Sequence, residues 1–178
     1  MDLTEWDTIL PEIYVRVPDL PDVLVKSALL DAADDFFRET WIWEESVGPV
    51  IRMPGFQYAE LSLYGELAVL GLVYTEVPME FIAPETVEIS DKWPAEVPYN
   101  VRAAVIPLED LGGIRKDLWA QYRQGLIART LYHLHLIPDQ DWTNAETAMF
   151  YNTRYREVVG DARRDRNRVK RVKPRRFV

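Results

Sequence analysis

The sequence predicts an α+β protein: a helical bundle of about three long helices, with a small antiparallel β-subdomain inserted after the first of them and an extended C-terminal tail. Apolar residues recur at helical spacing near the N-terminus and again in the C-terminal third. The middle third changes to short β-prone runs that glycines and prolines separate. The last sixteen residues are strongly basic, although the whole chain has a net charge of -8. With 178 residues, 48% of them hydrophobic, the chain can bury an ordinary core.

The first helix is predicted over about 21–40. Asp19 is a candidate N-cap, and Pro21 lies in the first turn, where its missing N–H costs nothing. Asp22 favours the positive end of the helix dipole. The predicted buried face is an apolar stripe at helical spacing, formed by Val25, Ala28, Leu29, Ala32, Ala33, Phe36 and Phe37.

A β-rich insertion is predicted over about 41–106. Its runs are short, and the turn-forming residues glycine and proline lie between them. The least regular stretch, 91–100, holds two prolines and is predicted to be an exposed loop. The β-prone runs are Trp41 to Trp43, Val50-Ile51, Tyr58 to Leu63, Leu67 to Tyr74, Phe81-Ile82 and Val101 to Ile106.

Two further helices are predicted in the C-terminal third. One spans about 115–136, begins after a Gly-Gly pair and ends before Pro138, which cannot continue a helix. The other spans about 143–167 and begins with a T-x-x-E capping box at Thr143.

A basic arm is predicted over 163–178, after a body that spans 1–162. The arm holds nine Lys or Arg against one acid, Asp165, a net charge of +8, so the body carries -16. Such a block is typical of an arm that docks on an acidic partner or on nucleic acid. Apolar residues interleave with the cations and favour an extended segment laid into a groove. The predicted partner-binding residues are Arg163, Arg164, Arg166, Arg168, Lys170, Arg171, Lys173, Arg175, Arg176 and, as an apolar anchor, Phe177.

The sequence carries no signature of catalysis, so we expect no catalytic site, cofactor or metal. No G-x-S-x-G, H-E-x-x-H, P-loop or G-x-G-x-x-G motif occurs, and the chain has no cysteine. His133 and His135 lie two apart on a predicted helix, so their side chains point about 200° apart and cannot ligate one metal together. They are expected to be a surface and a packing histidine. A hydrolase that uses carboxylates of the acidic body is the enzymatic alternative.

The acids of the first helix and the segment after it are predicted to form a solvated face, because they fall largely between the apolar positions. They are Asp31, Asp34, Asp35, Glu39, Glu44 and Glu45.

We also expect no membrane partner and no signal peptide. No apolar run approaches the roughly 20 residues that a membrane-spanning helix needs. The N-terminal MDLTEWDTILPE is acidic where a signal peptide is basic.

Two stretches of the chain, one near each end, each carry a series of short motifs. Leu10 to Trp43 combines a Leu-Pro-Glu segment, a V-P-x-x-P turn, an A-L-x-x-A-A-x-x-F helix and a T-x-x-W exit. Tyr122 to Phe177 combines a tyrosine-led helix containing G-x-x-A-R, a P-x-x-x-W-x-N turn, an A-x-x-Y-type helix and a basic tail ending in R-R-F. Their order and spacing resemble the head-to-tail adaptor, or connector, proteins of tailed bacteriophages, which form a ring beneath the portal. The β-rich middle is similar only in character, and Leu131 to Leu136 departs from the smaller residues usual there.

The resemblance implies a structural virion protein that joins the portal to the tail and catalyses nothing. It implies a homo-oligomeric ring, of twelve subunits, whose arms bind the portal protein and whose other contacts are with tail or neck proteins. DNA would pass through the ring without sequence-specific contact, since an acidic lining repels it. The implied location is the neck of the virion, between capsid and tail, with assembly in the host cytoplasm.

A second hypothesis is a nucleic-acid-binding protein that uses the basic arm. Its cations would neutralise phosphates, with a salt slope of about -0.9 per phosphate contacted. Binding to duplex DNA at moderate salt separates the two hypotheses, because an adaptor should bind the portal better than DNA.

Overall fold

The α+β class predicted from the sequence is confirmed, with four helices rather than about three among the described residues. The chain divides into two compact units. The helical unit is Met1–Ile42 together with Gly112–Val178, and the β-unit is Trp43–Leu111. The computed structural model describes residues 2–62, 66–83, 85–108 and 111–171.

Helices lie at both ends of the chain, and most strands lie between them. In chain order the elements are β1 Leu3–Glu5, α1 Trp6–Tyr14, α2 Asp22–Thr40, β2 Glu44–Ser46, β3 Val50–Ile51, β4 Tyr58–Glu60, β5 Leu67–Thr75, β6 Met79–Ala83, β7 Thr86–Ile89, β8 Pro98–Tyr99, β9 Val101–Pro107, β10 Gly113–Arg115, α3 Lys116–His135 and α4 Ala145–Arg171.

The three long helices of the prediction correspond to α2, α3 and α4. The apolar stripe of α2 is buried along its whole length. Its Phe36 ring lies 5.5 Å from the ring of Tyr122 on α3 and 6.3 Å from that of Tyr155 on α4, measured between centroids. The core of the helical unit therefore forms where these three helices meet.

The short helix α1 is a helix that the sequence pattern missed. It buries Trp6, Ile9, Leu10 and Ile13 at helical spacing. Pro11 lies inside it, and an internal proline removes one helical hydrogen bond, which is why the pattern does not favour a helix there.

Both predicted N-caps are wrong. Asp19 has a left-handed backbone (φ 64°), and the N-cap of α2 is Pro21, which offers no side-chain cap. At α4 the cap is Asn144, whose Oδ1 accepts the backbone N–H of Thr147 at 2.9 Å. Thr143, the predicted cap, instead donates its hydroxyl to the carbonyl of Ile137. The α4 helix also continues beyond the predicted end at 167, to Arg171.

Strands β1 and β10 pair antiparallel and so connect the two chain segments that form the helical unit. Gly113 is required there, because a Cβ at this position would lie 2.2 Å from the Thr4 carbonyl oxygen. The second glycine of the Gly-Gly pair therefore belongs to a strand that precedes α3, which the prediction did not include.

The β-unit holds small antiparallel sheets, as predicted. One has the order β2-β9-β5, a second β4-β7-β6, and β3 pairs with β8. The stretch predicted to be an exposed loop, 91–100, includes strand β8, where Tyr99 is buried and pairs with Val50.

Candidate partner-binding site

The predicted partner-binding residues divide at the end of α4. Six of them, Arg163 to Arg171 in the list above, lie on the last turns of α4, and the predicted boundary after residue 162 falls inside this helix. Lys173, Arg175, Arg176 and Phe177 lie outside the described residues.

Arg163 ties α4 to the end of α2. Its Nε donates to the backbone carbonyl of Glu39 at 2.9 Å, and its Nη2 lies 3.4 Å from Glu39 Oε2. The carbonyl is one of the last four of α2, which have no partner within their own helix. A cation at a helix C-terminus also interacts favourably with the helix dipole. Arg163 therefore caps one helix from another.

Arg166 lies over the indole ring of Trp41, with Cζ 5.1 Å from the ring centroid. Trp41 is the C-cap of α2 and holds a left-handed backbone (φ 54°), while its N–H donates to the carbonyl of Phe37 at 2.8 Å. A cation of the predicted arm is therefore packed against the turn at which α2 ends.

Asp165, the one acid of the basic segment, connects α4 to α3. Its Oδ2 accepts hydrogen bonds from Gln121 at 3.1 Å and from the hydroxyl of Tyr122 at 3.2 Å. Burial, and then the charge of Asp165, raise the pKa of Tyr122 well above its usual value. This acid therefore holds the basic end of α4 on the helical unit.

Two other cations pair within α4. Arg164 pairs with Asp161 and Arg168 with Asp165, each at a spacing of three residues. These pairs are exposed, and exposed ion pairs contribute little to stability. They do lower the free positive charge of the segment.

A polar cluster lies just N-terminal to these contacts, where α2, α3 and α4 meet. Asp35 Oδ2 accepts Arg129 Nε at 2.8 Å and His133 Nε2 at 3.1 Å. Arg129 is largely buried and also stacks on the rings of Tyr132 and Tyr155, with Cζ 4.7 and 4.9 Å from their centroids. A charged hydrogen bond between partly buried groups is stronger than a surface pair. The cluster therefore fixes the register of the three helices.

Tyr155 extends this cluster towards Arg163. Its ring is 1% exposed, and its hydroxyl donates to Glu39 Oε1 at 2.9 Å. Burial, and then the charge of Glu39, raise the pKa of the Tyr155 hydroxyl strongly. Glu39 therefore accepts from both Tyr155 and Arg163 on α4.

The solvated face predicted for the acids is wrong at Asp35, which is half-buried, whereas Glu39 is exposed as predicted. Both fall between apolar positions of α2, but α3 and α4 supply cations that meet them. Two acids of the β-unit also have partners: Arg102 lies 2.9 Å from Glu44, and Trp43 Nε1 donates to Glu45 at 2.8 Å. Sequence periodicity reports one helix at a time, so it could not reveal these contacts.

The two histidines engage different partners. His133 meets Asp35, whereas His135 Nδ1 donates to the carbonyl of Trp142 at 2.7 Å and stacks on the ring of Tyr151. Asp35 lies 98 residues before His133 in the chain, so no local pattern could pair them. Over the described ranges, no three His, Asp or Glu side chains converge as metal ligands.

Close packing of α3 on α4 depends on Gly125. A Cβ there would lie 2.7 Å from Val158 Cγ1 and 2.9 Å from Val158 Cβ. Gly125, Ala128 and Arg129 are the defined positions of the G-x-x-A-R motif. Gly125 lets α4 approach, Ala128 is buried, and Arg129 reaches Asp35 on α2.

A cleft of about 300 Å³ opens beside these contacts, within the helical unit. Arg129, Arg156 and Arg163 line it together with Glu39 and Asn152. Arg163 is engaged with Glu39 and Arg129 with Asp35, contacts that hold the helices together. The chemistry of the cleft is that of recognition, because guanidinium groups bind carboxylates and phosphates.

None of the helices in the described part of the chain has the length and apolar character needed to cross a bilayer. No protein-family model matches the chain, and a search of curated proteins found no match.

Proposed function

We propose that this protein is a structural component of a tailed-phage virion that forms a ring between portal and tail and lines the passage for DNA. Its C-terminal segment is the arm that anchors the ring to the portal protein, and tail or neck proteins bind elsewhere on the ring. The protein performs no catalysis. It resides in the neck of the virion after assembly in the host cytoplasm.

The observation that carries this proposal is how the basic segment is attached. Arg163 and Arg166 fix the end of α4 on the helical unit through Glu39 and Trp41. The seven residues that follow Arg171, Val-Lys-Pro-Arg-Arg-Phe-Val, hold three cations and no acid, interleaved with apolar residues. A cationic and apolar segment continuous with a rigid helix suits an arm that docks on a groove.

The distribution of charge gives a second line of support. Residues 43–111 hold twelve acids and three cations, whereas residues 163–178 hold nine cations and one acid. A ring whose subunits carry this acidic surface repels DNA, so DNA can slide past it. The cationic segment then serves an acidic protein partner.

The test is co-purification with the portal protein of the same phage, followed by electron microscopy of the complex. We expect the full chain to form rings on the portal, and a variant lacking residues 172–178 to fail while remaining folded. Phe177→Ala should weaken portal binding about fivefold to 150-fold, the effect of losing about 1–3 kcal/mol of apolar burial. Phe150→Ala, at an exposed aromatic of α4, is the matched control and should bind normally.

Two results would overturn the proposal. One is normal ring formation on the portal by the variant that lacks residues 172–178. The other is binding of duplex DNA at moderate salt that is tighter than binding of the portal, which would favour the nucleic-acid-binding hypothesis.

A further inference from the structure

Two loops of the β-unit expose a group of large apolar side chains. Of the fourteen large hydrophobic residues that are exposed in the described part of the chain, six lie between residues 51 and 58 or between 93 and 97. Phe56 is 65% exposed and Tyr58 56%. The six, which we call the loop surface, are Ile51, Met53, Phe56, Tyr58, Trp93 and Val97.

A buried arginine holds the two loops together. Arg52 is 7% exposed, and its Nη1 and Nη2 donate to the carbonyls of Phe56 at 3.0 Å and Trp93 at 2.7 Å. Its own carbonyl accepts the N–H of Glu96 at 2.9 Å. The guanidinium therefore bridges the two loops by donating to a backbone carbonyl of each. We call Arg52 and these hydrogen bonds the clamp.

Strand pairing and a tyrosine reinforce this clamp. Ile51 pairs with Pro98 between β3 and β8, and the hydroxyl of buried Tyr99 donates to the carbonyl of Pro94 at 2.9 Å. The loops are thus ordered by hydrogen bonds from Arg52 and Tyr99 to their backbone carbonyls, while the six apolar side chains stay exposed. Apolar side chains that a rigid backbone keeps in solvent are typical of a surface that another protein covers.

The charge around this surface is negative. Glu60, Glu85, Asp91 and Glu96 are exposed in or beside the two loops. Of the three cations in residues 43–111, Arg52 is buried and Arg102 pairs with Glu44, so Lys92 alone is an exposed cation outside such contacts in the described β-unit. An acidic rim around an apolar centre complements a face with the opposite charge.

We propose that the loop surface docks a second, different protein, whose contact face presents Lys or Arg side chains around an aromatic or apolar centre. Most of the described cations that α4 of another copy could offer are already engaged: Arg154, Arg163, Arg164 and Arg168 pair with acids, and Arg166 lies over Trp41. This disfavours a second copy as the occupant. The partner's chemistry follows from the surface alone, whereas its place on the tail side of the ring rests on the proposed function.

The experiment places the photo-crosslinking residue p-benzoylphenylalanine at position 56 of the full-length protein, expressed where the particle assembles. Phe56 is mostly exposed, and only its backbone carbonyl serves the clamp, so the fold should tolerate this change. Crosslinked peptides are identified by mass spectrometry. We expect a peptide from another protein, with basic residues beside an aromatic or apolar one.

A charge-reversal variant tests whether the crosslink reports specific docking or a chance contact. Asp91→Lys with Glu96→Lys should lower the crosslink yield about tenfold or more, because like charges then face each other. Glu66→Lys, at an exposed acid outside the two loops, is the matched control and should leave the yield unchanged. Thermal unfolding of each variant confirms that the β-unit is intact.

Three results would overturn this proposal: crosslinks to another copy of this chain, including its residues 172–178; a captured peptide without basic residues; or a yield that the double charge reversal does not change. The outcome is independent of the arm. Capture of a basic partner at position 56 together with failure of Phe177 to reach the portal would keep the loop surface and reject the proposed function. Portal binding by the arm without capture at position 56 would do the reverse.

Discussion

Arg166 on α4 packs its guanidinium over the indole of Trp41, the residue at which α2 ends. Together with the hydrogen bond from Arg163 to the Glu39 carbonyl, this contact places part of the predicted arm within the helical unit. The docking part of the proposed arm is therefore residues 172–178, which follow these contacts in the sequence.

Two truncations should separate the structural part of the basic segment from the docking part. Removing residues 172–178 leaves the described contacts of α4 in place, whereas removing 163–178 also deletes the contacts of Arg163, Asp165 and Arg166. We expect the longer truncation to lower the free energy of unfolding by about 1–3 kcal/mol relative to the shorter one. Urea unfolding followed by circular dichroism measures this difference. Equal stability of the two truncated proteins would show that these contacts do not hold α4.

Gly125→Ala should destabilise the helical unit. The new Cβ would lie 2.9 Å from Val158 Cβ, an atom that no side-chain rotation can move, so α3 and α4 must separate. Overpacking costs about 1–3 kcal/mol, which exceeds the roughly 1 kcal/mol that alanine gains over glycine in helix propensity.

Gly160→Ala is the matched control for this change, because Gly160 lies in α4 with open space where a Cβ would be added. It should raise the free energy of unfolding by up to about 1 kcal/mol. Combining Gly125→Ala with Val158→Ala should recover part of the loss in a double-mutant cycle. If both glycine variants stabilise the protein, close packing of α3 on α4 at Gly125 is refuted.

Tyr155→Phe should lower the free energy of unfolding by about 1–2 kcal/mol, since it removes the hydrogen bond to Glu39 and leaves a carboxylate oxygen without that donor. Tyr151→Phe is the control, because Tyr151 is half-buried and contributes ring stacking on His135. Chemical unfolding at neutral pH should show a loss for the first variant and little change for the second.

The same tyrosine should make stability depend on alkaline pH. Folding raises the pKa of Tyr155, so its contribution is fully present below the tyrosine pKa of the unfolded chain, about 10, and is lost as the pH rises above that value. Between about pH 9 and pH 11, roughly one unit either side of that pKa, the free energy of unfolding should therefore fall more for the wild-type protein than for Tyr155→Phe. Parallel loss in both proteins would contradict the assigned role of the hydroxyl.

How far the sequence predicts this structure depends on whether the relevant contacts are local. The stripe of α2 needs only the helical period, and its predicted bounds agree with the structure within a residue or two. The proline in α1 masks a similar helical period. Asn144 rather than Thr143 caps α4 because the Thr143 hydroxyl bonds to the carbonyl of Ile137, a contact that the sequence does not reveal.

The candidate site was predicted from charge density, which reports how many cations a segment has but not what they meet. Glu39 and Trp41 lie more than a hundred residues before Arg163 and Arg166, so no local pattern could pair them. The role of Arg52 could likewise not be predicted from the sequence, because it depends on two loops that come together only in the fold.

Association of the arm with the portal should be steered by charge. Exposed charges are screened beyond about 10 Å at 0.1 M salt, whereas apolar contacts of Phe177 and the valines are not weakened by salt. We therefore expect added salt to lower the association rate much more than it raises the dissociation rate. Both rates can be measured as the protein binds portal immobilised on a surface. A salt effect confined to the release rate would contradict a steered arm.

The most direct measurement of the central claim is a photo-crosslink from position 177. The full-length protein, with Phe177 replaced by p-benzoylphenylalanine, is irradiated in particles and in infected cells, and the adducts are identified by mass spectrometry. The account predicts an adduct with the portal protein, lost when Arg175 and Arg176 are both changed to Glu. Adducts only with DNA, or only with this chain itself, would contradict it.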